Sequence, residues 1–124
     1  CAVVPVFPAL RVHLIGTGDE LVPFEGRPSA DQIRDTNTPT LAAQLASSAV
    51  LARPFPPVRD DEAALRAAID AALEGCDVLI LTGGVSMGAY DLVGKTLLAA
   101  GVREVFHKVS IKPGKPVWFG VLER

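Results

Sequence analysis

The sequence is poor in cysteine, in aromatic residues and in charge of one sign, and each shortage excludes a class of protein. Two cysteines in 124 residues, Cys1 and Cys76, are too few and too far apart for a disulfide framework or a zinc site. Twelve basic and fourteen acidic residues give a net charge of −2, so no general field attracts nucleic acid. No apolar run reaches the ~18 residues that cross a bilayer. We therefore expect neither nucleic acid nor a membrane as partner.

The composition that is present suits one folded domain. Hydrophobic residues make up 49% of the chain and charged residues 21%, which is typical of globular proteins, and unpaired cysteines without a secretory signal predict a cytoplasmic protein. We expect residues 10–124 to form the domain, and the proline-containing residues 1–9 to form an extended lead or linker. A first residue other than Met and an end just after an apolar run predict a fragment of a longer, multidomain protein.

Apolar periodicity predicts strands alternating with helices. Strands are expected near 10–16, 50–55, 78–81, 105–109 and 117–121. Helices are expected from 37 to about 48, from the acidic run 60–62 to 73, and from 91 towards Gly101. The continuous apolar run at 78–81 is typical of a central strand buried on both faces. This order predicts a three-layer α/β/α sandwich with a mostly parallel sheet, whose ligands lie at the carboxyl ends of the strands.

A glycine-rich segment follows the predicted central strand and precedes a helix. Its small and hydroxyl-bearing residues are Thr82, Gly83, Gly84, Ser86 and Gly88. Backbone amides without side-chain obstruction can converge there on an oxyanion such as a phosphate. The segment has neither the lysine of a Walker loop nor the spacing of a dinucleotide fingerprint. The alternative is a tight turn without a ligand.

Carboxylates are placed close to the same predicted edge of the sheet. Asp91 begins the third predicted helix, where it is an N-cap, a ligand that holds Mg²⁺ against a phosphate, or both. Glu20 follows the first strand and Asp35 precedes the first helix, which allows metal or base chemistry. The local alternative is turn formation by Asp19 and capping by Asn37.

A proline-rich turn presents two lysines. Lys112 and Lys115 flank Gly114, and Pro113 and Pro116 restrict the backbone around them. Two ammonium groups on a rigid turn suit a multivalent anion, because less entropy is lost in presenting them. The alternative is that both are ordinary solvated surface lysines.

Four short motifs, read in order, resemble the molybdopterin-binding domain of the MoeA/gephyrin family. They are TGDEL at 17–21, IRDTN at 33–37, TGGVSMGAYD at 82–91 and KPGKP at 112–116. The resemblance covers about residues 10–121 and implies the MoaB/Mog-like molybdopterin-binding fold. It also implies a molybdopterin molybdenumtransferase, which takes adenylylated molybdopterin, releases AMP and inserts molybdate with the help of Mg²⁺.

By position, the resemblance makes Asp91 the metal-binding and catalytic carboxylate, with Lys112 and Lys115 as catalytic contacts to molybdate or phosphate. It implies that the ligand is bound by Thr82, Gly83, Gly84, Ser86, Gly88, Glu20, Asp35 and Pro113. In such proteins another domain completes the cleft across a homodimer, so we expect this chain alone to bind ligand but to be inactive. The alternative is a non-catalytic domain of the same fold that binds molybdopterin or a nucleotide, as in competence-damage-type domains, or that serves a gephyrin-type scaffold.

Overall fold

Strands and helices alternate along the chain in the computed structural model, which describes residues 3–47, 49–84 and 92–123. The strands are β1 Leu10–Gly16, β2 Leu21–Val22, β3 Ile33–Arg34, β4 Val50–Pro54, β5 Val78–Thr82, β6 Arg103–His107 and β7 Trp118–Val121. The helices are α1 Asn37–Leu45, α2 Glu62–Leu73 and α3 Leu92–Ala99. Residues 3–9 are in neither helix nor strand. No helix in these described ranges is long and apolar enough to span a bilayer.

The middle of the sheet is β1, which pairs in parallel with β4 on one side and β5 on the other. Its residues from Val12 to Gly16 are all buried. The prediction that residues 78–81 form the central strand is wrong for the described part of the chain, because β5 pairs there with β1 alone and Val78 is 42% exposed. A continuous apolar run shows that a strand is largely buried, but does not say how many neighbours it has.

Helices cover the two faces of the sheet. Thr38 of α1 lies against Gly16, where a Cβ atom would be 3.2 Å from the Thr38 Oγ1. On the opposite face, the buried His13 donates from Nδ1 to the carbonyl oxygen of Ala72 in α2 at 2.6 Å. Gly16 and His13 are three positions apart on one strand and so face opposite sides. The predicted three-layer sandwich is confirmed.

The main core lies between α2 and α3. Leu65, Ile69 and Ala72 form the buried stripe of α2 at helical spacing. The first two pack with buried residues of α3 and the segment after it, which are Val93, Leu97 and Val102. Asp61 caps α2, accepting a hydrogen bond from the Ala64 amide at 2.8 Å, as its place at the helix start predicts.

The first helix is shorter than predicted and is capped by a different residue. It ends at Leu45 rather than near residue 48, because Ser47 already bridges to Val50 and leads the chain into β4. Asn37 is not its cap. The amide of Thr38 instead donates to the Asp35 Oδ1 at 3.0 Å. The buried carboxylate therefore stabilises the start of α1.

The last two strands form an antiparallel hairpin in which Phe106 pairs with Phe119. The sixth strand runs from residue 103 to 107, two residues earlier than predicted. It stops there because Lys108 adopts a left-handed conformation, with φ of 70°, while its amide still donates to Val117 O at 2.7 Å. The opposite strand begins at Trp118, within one residue of its prediction.

Candidate functional site

The loops that follow β1, β4 and β5 are joined by backbone hydrogen bonds at one edge of the sheet. The amide of Val58 donates to Gly16 O at 2.8 Å, and the amide of Gly18 donates back to Val58 O at 3.0 Å. On the other side, the Thr17 amide donates to Thr82 O at 2.8 Å. The carboxyl ends of all three parallel strands therefore meet, and ligands of open α/β sheets bind beyond such ends.

The turn after β5 can be built only with glycine. Gly83 and Gly84 have φ of 89° and 64°, in the left-handed region. A Cβ atom on Gly83 would overlap the Thr17 carbonyl oxygen, and one on Gly84 would lie 2.5 Å from the Val93 Cγ2. Neither glycine amide donates a backbone hydrogen bond to another described residue. Two amides of this turn can therefore bind an oxyanion. Ser86, Gly88 and Asp91 lie outside the described residues.

Three carboxylates gather on the loops that follow β1 and β4. The Glu20 side chain folds back over its own loop, so that a Cβ on Gly18 would lie 2.6 Å from the Glu20 Oε2. The amide of Asp60 donates to the Asp19 Oδ1 at 3.2 Å, which brings the loop before α2 to the same place. Partial burial, followed by the negative charges of Asp19 and Glu20, raises the pKa of Asp60 above 3.8.

Asp60 is absent from the residues that the sequence predicts for the site. In the sequence it belongs to an acidic run that begins a helix, and this is sufficient to account for it. Its contact with Asp19 joins segments 41 residues apart. No spacing rule relates those two positions, so only the fold identifies Asp60 as a candidate.

Asp35 lies against Gly16, the last residue of β1, close to the same edge. It is 5% exposed, and its amide donates to Val22 O at 2.9 Å in the short parallel pair of β2 and β3. The Asp35 Oδ2 would be 2.9 Å from a Cβ on Gly16. The structure therefore places Asp35 at the predicted edge, where its contacts link β1, β2 and α1.

The two predicted lysines lie elsewhere in the described structure. Lys112 and Lys115 are exposed on the loop between β6 and β7, together with the equally exposed Pro113. The carbonyl of Lys115 accepts hydrogen bonds from the amides of Val109 and Val117, both at 3.0 Å. No ion pair or side-chain hydrogen bond to a described residue engages either lysine. The structure does not bring them into contact with the strand-end loops.

The carboxylates suit Mg²⁺ bound partly by a ligand. The described residues contain no group of three or more His, Cys, Asp or Glu side chains that could hold a metal ion. Mg²⁺ is commonly bound by one or two carboxylates, with water and substrate phosphates as its other ligands. Glu20 and Asp60 fit that pattern, because a cation near them would relieve the repulsion that, after partial burial, raises the pKa of Asp60.

The fold and this edge define a covered α/β domain of the kind that binds ligands beyond the carboxyl ends of its strands. A family profile described as "Probable molybdopterin binding domain" matches residues 13–124. The chain belongs to this family of molybdopterin-binding domains, which confirms the resemblance that its four motifs indicate.

The relatives compared below are longer than this chain. The molybdopterin molybdenumtransferase of Synechococcus elongatus is 39% identical over 120 residues, covering 94% of this chain and 30% of that protein. That of Haemophilus influenzae is 38% identical over 123 residues, covering 98% and 30%. Two crystal structures of the molybdopterin biosynthesis MoeA protein of Pyrococcus horikoshii match with TM-scores of 0.82 and 0.68, at 29% and 28% identity. The matched regions cover 93% and 94% of this chain and 28% of each chain in those structures. The chain thus spans less than a third of these relatives.

Proposed function

We propose that this chain is the molybdopterin-binding domain of a molybdopterin molybdenumtransferase and acts in molybdenum cofactor biosynthesis. The observation that carries the proposal is the turn at Gly83 and Gly84, which lies against Thr17 at the carboxyl ends of the parallel strands. The family of molybdopterin-binding domains and two strand-end amides that bond no described residue point to the same ligand. The phosphate of molybdopterin, or of its adenylylated form, binds at these amides.

Lys112 and Lys115 supply positive charge that the glycine turn lacks, and they contact the ligand from the loop between β6 and β7, apart from the strand-end loops. Molybdate and phosphate are dianions, and ammonium groups bind them through charge-assisted hydrogen bonds. Lys112 and Lys115 are exposed, and neither forms an ion pair with a described residue. Their ammonium groups are therefore available to an anion without breaking an existing contact, and Pro113 limits the backbone freedom between them.

The carboxylates on the strand-end loops supply the metal-binding part of the proposal. Glu20 and Asp60 would hold Mg²⁺, with Asp91 as the further carboxylate that the family resemblance implies. When bound, Mg²⁺ shields the charge of the phosphoanhydride that links molybdopterin to AMP. Asp35 keeps the start of α1 and the end of β1 in place, and so maintains the wall of the site.

The complete reaction requires more protein than this chain. The relatives that carry the transferase name are more than three times as long, and transfer requires phosphate, metal and molybdate to be held together. We propose a cytoplasmic homodimer in which other domains complete the site, and a 124-residue chain that binds molybdopterin without releasing AMP. If binding occurs and the longer protein also releases no AMP, the non-catalytic alternative is the correct one.

The lysines provide the test of this proposal. Lys112→Ala with Lys115→Ala should weaken molybdopterin binding at least tenfold, about 1.4 kcal/mol, in a calorimetric titration, with an unchanged melting temperature because both side chains are exposed. Arg103→Ala is the matched control, since it removes an exposed cation from the same hairpin and only a 3.5 Å surface ion pair. Equal binding by the double variant and the control would contradict the proposal.

Asp91 is tested in the longer protein. Asp91→Asn keeps a side chain that can cap a helix but removes the charge, so AMP release should stop while binding persists. AMP release at the unaltered rate would exclude the role that the resemblance assigns to Asp91.

A further inference from the structure

Both hydrogen-bond donors of Thr17 are directed at one carbonyl. Its amide donates to Thr82 O at 2.8 Å, and its hydroxyl reaches the same oxygen at 3.5 Å. The residue is 2% exposed. Its Oγ1 also lies 3.0 Å and 2.9 Å from the positions that Cβ atoms on Gly83 and Gly84 would take. The hydroxyl of Thr17 therefore lies directly beneath the glycine turn.

The contact with Thr82 O determines where the next amide is directed. In a trans peptide the carbonyl and the following N–H are directed to opposite sides of the chain. Because the Thr82 carbonyl is held towards β1, the Gly83 N–H is directed away from β1. That is the side on which β5 pairs with no described strand. Gly83 itself is exposed, so its amide can meet a ligand there.

We propose that the Thr17 hydroxyl is a positioning group for oxyanion binding, acting through the Thr82 carbonyl on the Gly83 amide. The proposal rests on the proposed function, because the oxyanion is the phosphate of molybdopterin. Thr17 is too deeply buried to touch the ligand itself. The sequence does not reveal this role, since it identifies Thr17 only as the first residue of a loop after a strand.

The rival role for Thr17 is packing by its methyl group, and three substitutions separate the two. Thr17→Ser removes the methyl and keeps the hydroxyl. Thr17→Ala removes both, and Thr17→Val keeps the methyl-bearing shape without the hydroxyl. If the hydroxyl positions the turn, the serine variant has the Gly83 amide shifts and the molybdopterin affinity of the original protein. If packing by the methyl group dominates, the valine variant has them instead.

The first measurement uses no ligand. The amide proton and nitrogen shifts of Gly83 in the 124-residue chain should be the same in the original protein and the serine variant, and displaced in the alanine and valine variants. Should the valine variant not fold, the alanine and serine variants still differ by the hydroxyl alone. An unchanged Gly83 resonance in the alanine variant would overturn the proposal.

The second measurement is a calorimetric titration with molybdopterin. Alanine and valine should weaken binding about twofold to threefold, the low end for a hydrogen bond because this contact is 3.5 Å long, and serine should restore it. Alanine binding as tightly as serine would overturn the positioning role. If the original chain does not bind molybdopterin, the proposed function fails, and the ligand-free shifts still decide whether Thr17 orients the Gly83 amide.

Discussion

Gly83→Ala tests whether the turn after β5 is held against the end of β1. Two costs add at this position. The first is the left-handed conformation, φ of 89°, which costs a non-glycine residue about 1–2 kcal/mol. The second is overlap of the new methyl with the Thr17 carbonyl oxygen. That atom belongs to the backbone, so no side-chain rotation relieves the overlap, and overpacking of this kind costs about 1–3 kcal/mol.

Gly101→Ala is the matched control for this substitution. Gly101 has the same φ of 89°, but a Cβ there would meet only the Leu122 Cδ1 at an ordinary 3.7 Å. It therefore incurs the conformational cost alone. We expect the free energy of unfolding to fall by about 1–2 kcal/mol for Gly101→Ala and by about 2–5 kcal/mol for Gly83→Ala. The difference between the two isolates the overlap with Thr17.

Urea unfolding, with a parallel molybdopterin titration, measures both effects. Gly83→Ala should weaken molybdopterin binding more than the unfolded fraction of the variant explains, because the turn must shift away from Thr17. Gly101→Ala should bind molybdopterin as the original protein does while it is folded. Equal destabilisation by the two substitutions, together with unaltered binding, would show that the turn does not lie against Thr17 and would refute the reasoning.

Three further predictions concern other parts of the fold. Lys108→Gly should raise the free energy of unfolding by about 0.5–1 kcal/mol, because glycine adopts the left-handed φ of 70° without strain. Lys108→Ala is the control, and a glycine variant less stable than the original protein would contradict the prediction. Asp60→Asn should stabilise the protein at neutral pH by a few tenths of a kcal/mol, since the raised pKa of Asp60 reflects a charge disfavoured on folding. In urea unfolding at several pH values, this gain should shrink as the pH falls through the raised pKa and vanish well below pH 3.8, where Asp60 is protonated in both states; a gain that persists there would contradict the prediction. Ile69→Ala, at a residue with 0% exposure, should cost about 2–5 kcal/mol, and a loss below 1 kcal/mol on this scale would mean that the α2–α3 core is not packed as described.

Local patterns in the sequence predict the elements whose causes are local. The second helix is an example, because Asp61 supplies its cap, Leu65 and Ile69 its buried stripe, and Gly75 its left-handed end, with φ of 83°. Helix α1 is predicted less well. Its end depends on the bridge from Ser47 to Val50, which forms only when the sheet is in place.

The middle of the sheet and the composition of the site are not local properties. β1 takes the central place although it carries His13. The ring of His13 finds an acceptor in α2, and no periodicity reveals that compensation. Gly83 and Gly84 are identifiable from the sequence because their conformation demands glycine. Thr17 and Asp60 are not, since each becomes a candidate only through contact with a distant segment.

A crystal structure of the chain with bound molybdopterin would test the central claim most directly. We expect the ligand at the carboxyl ends of β1 and β5, with a phosphate oxygen within hydrogen-bond distance, about 2.7–3.2 Å, of the Gly83 or Gly84 amide. Glu20 and Asp60 should lie on the same side of the ligand. Molybdopterin bound with its phosphate away from the glycine turn, for instance on the outer face of the β6–β7 hairpin, would contradict the account.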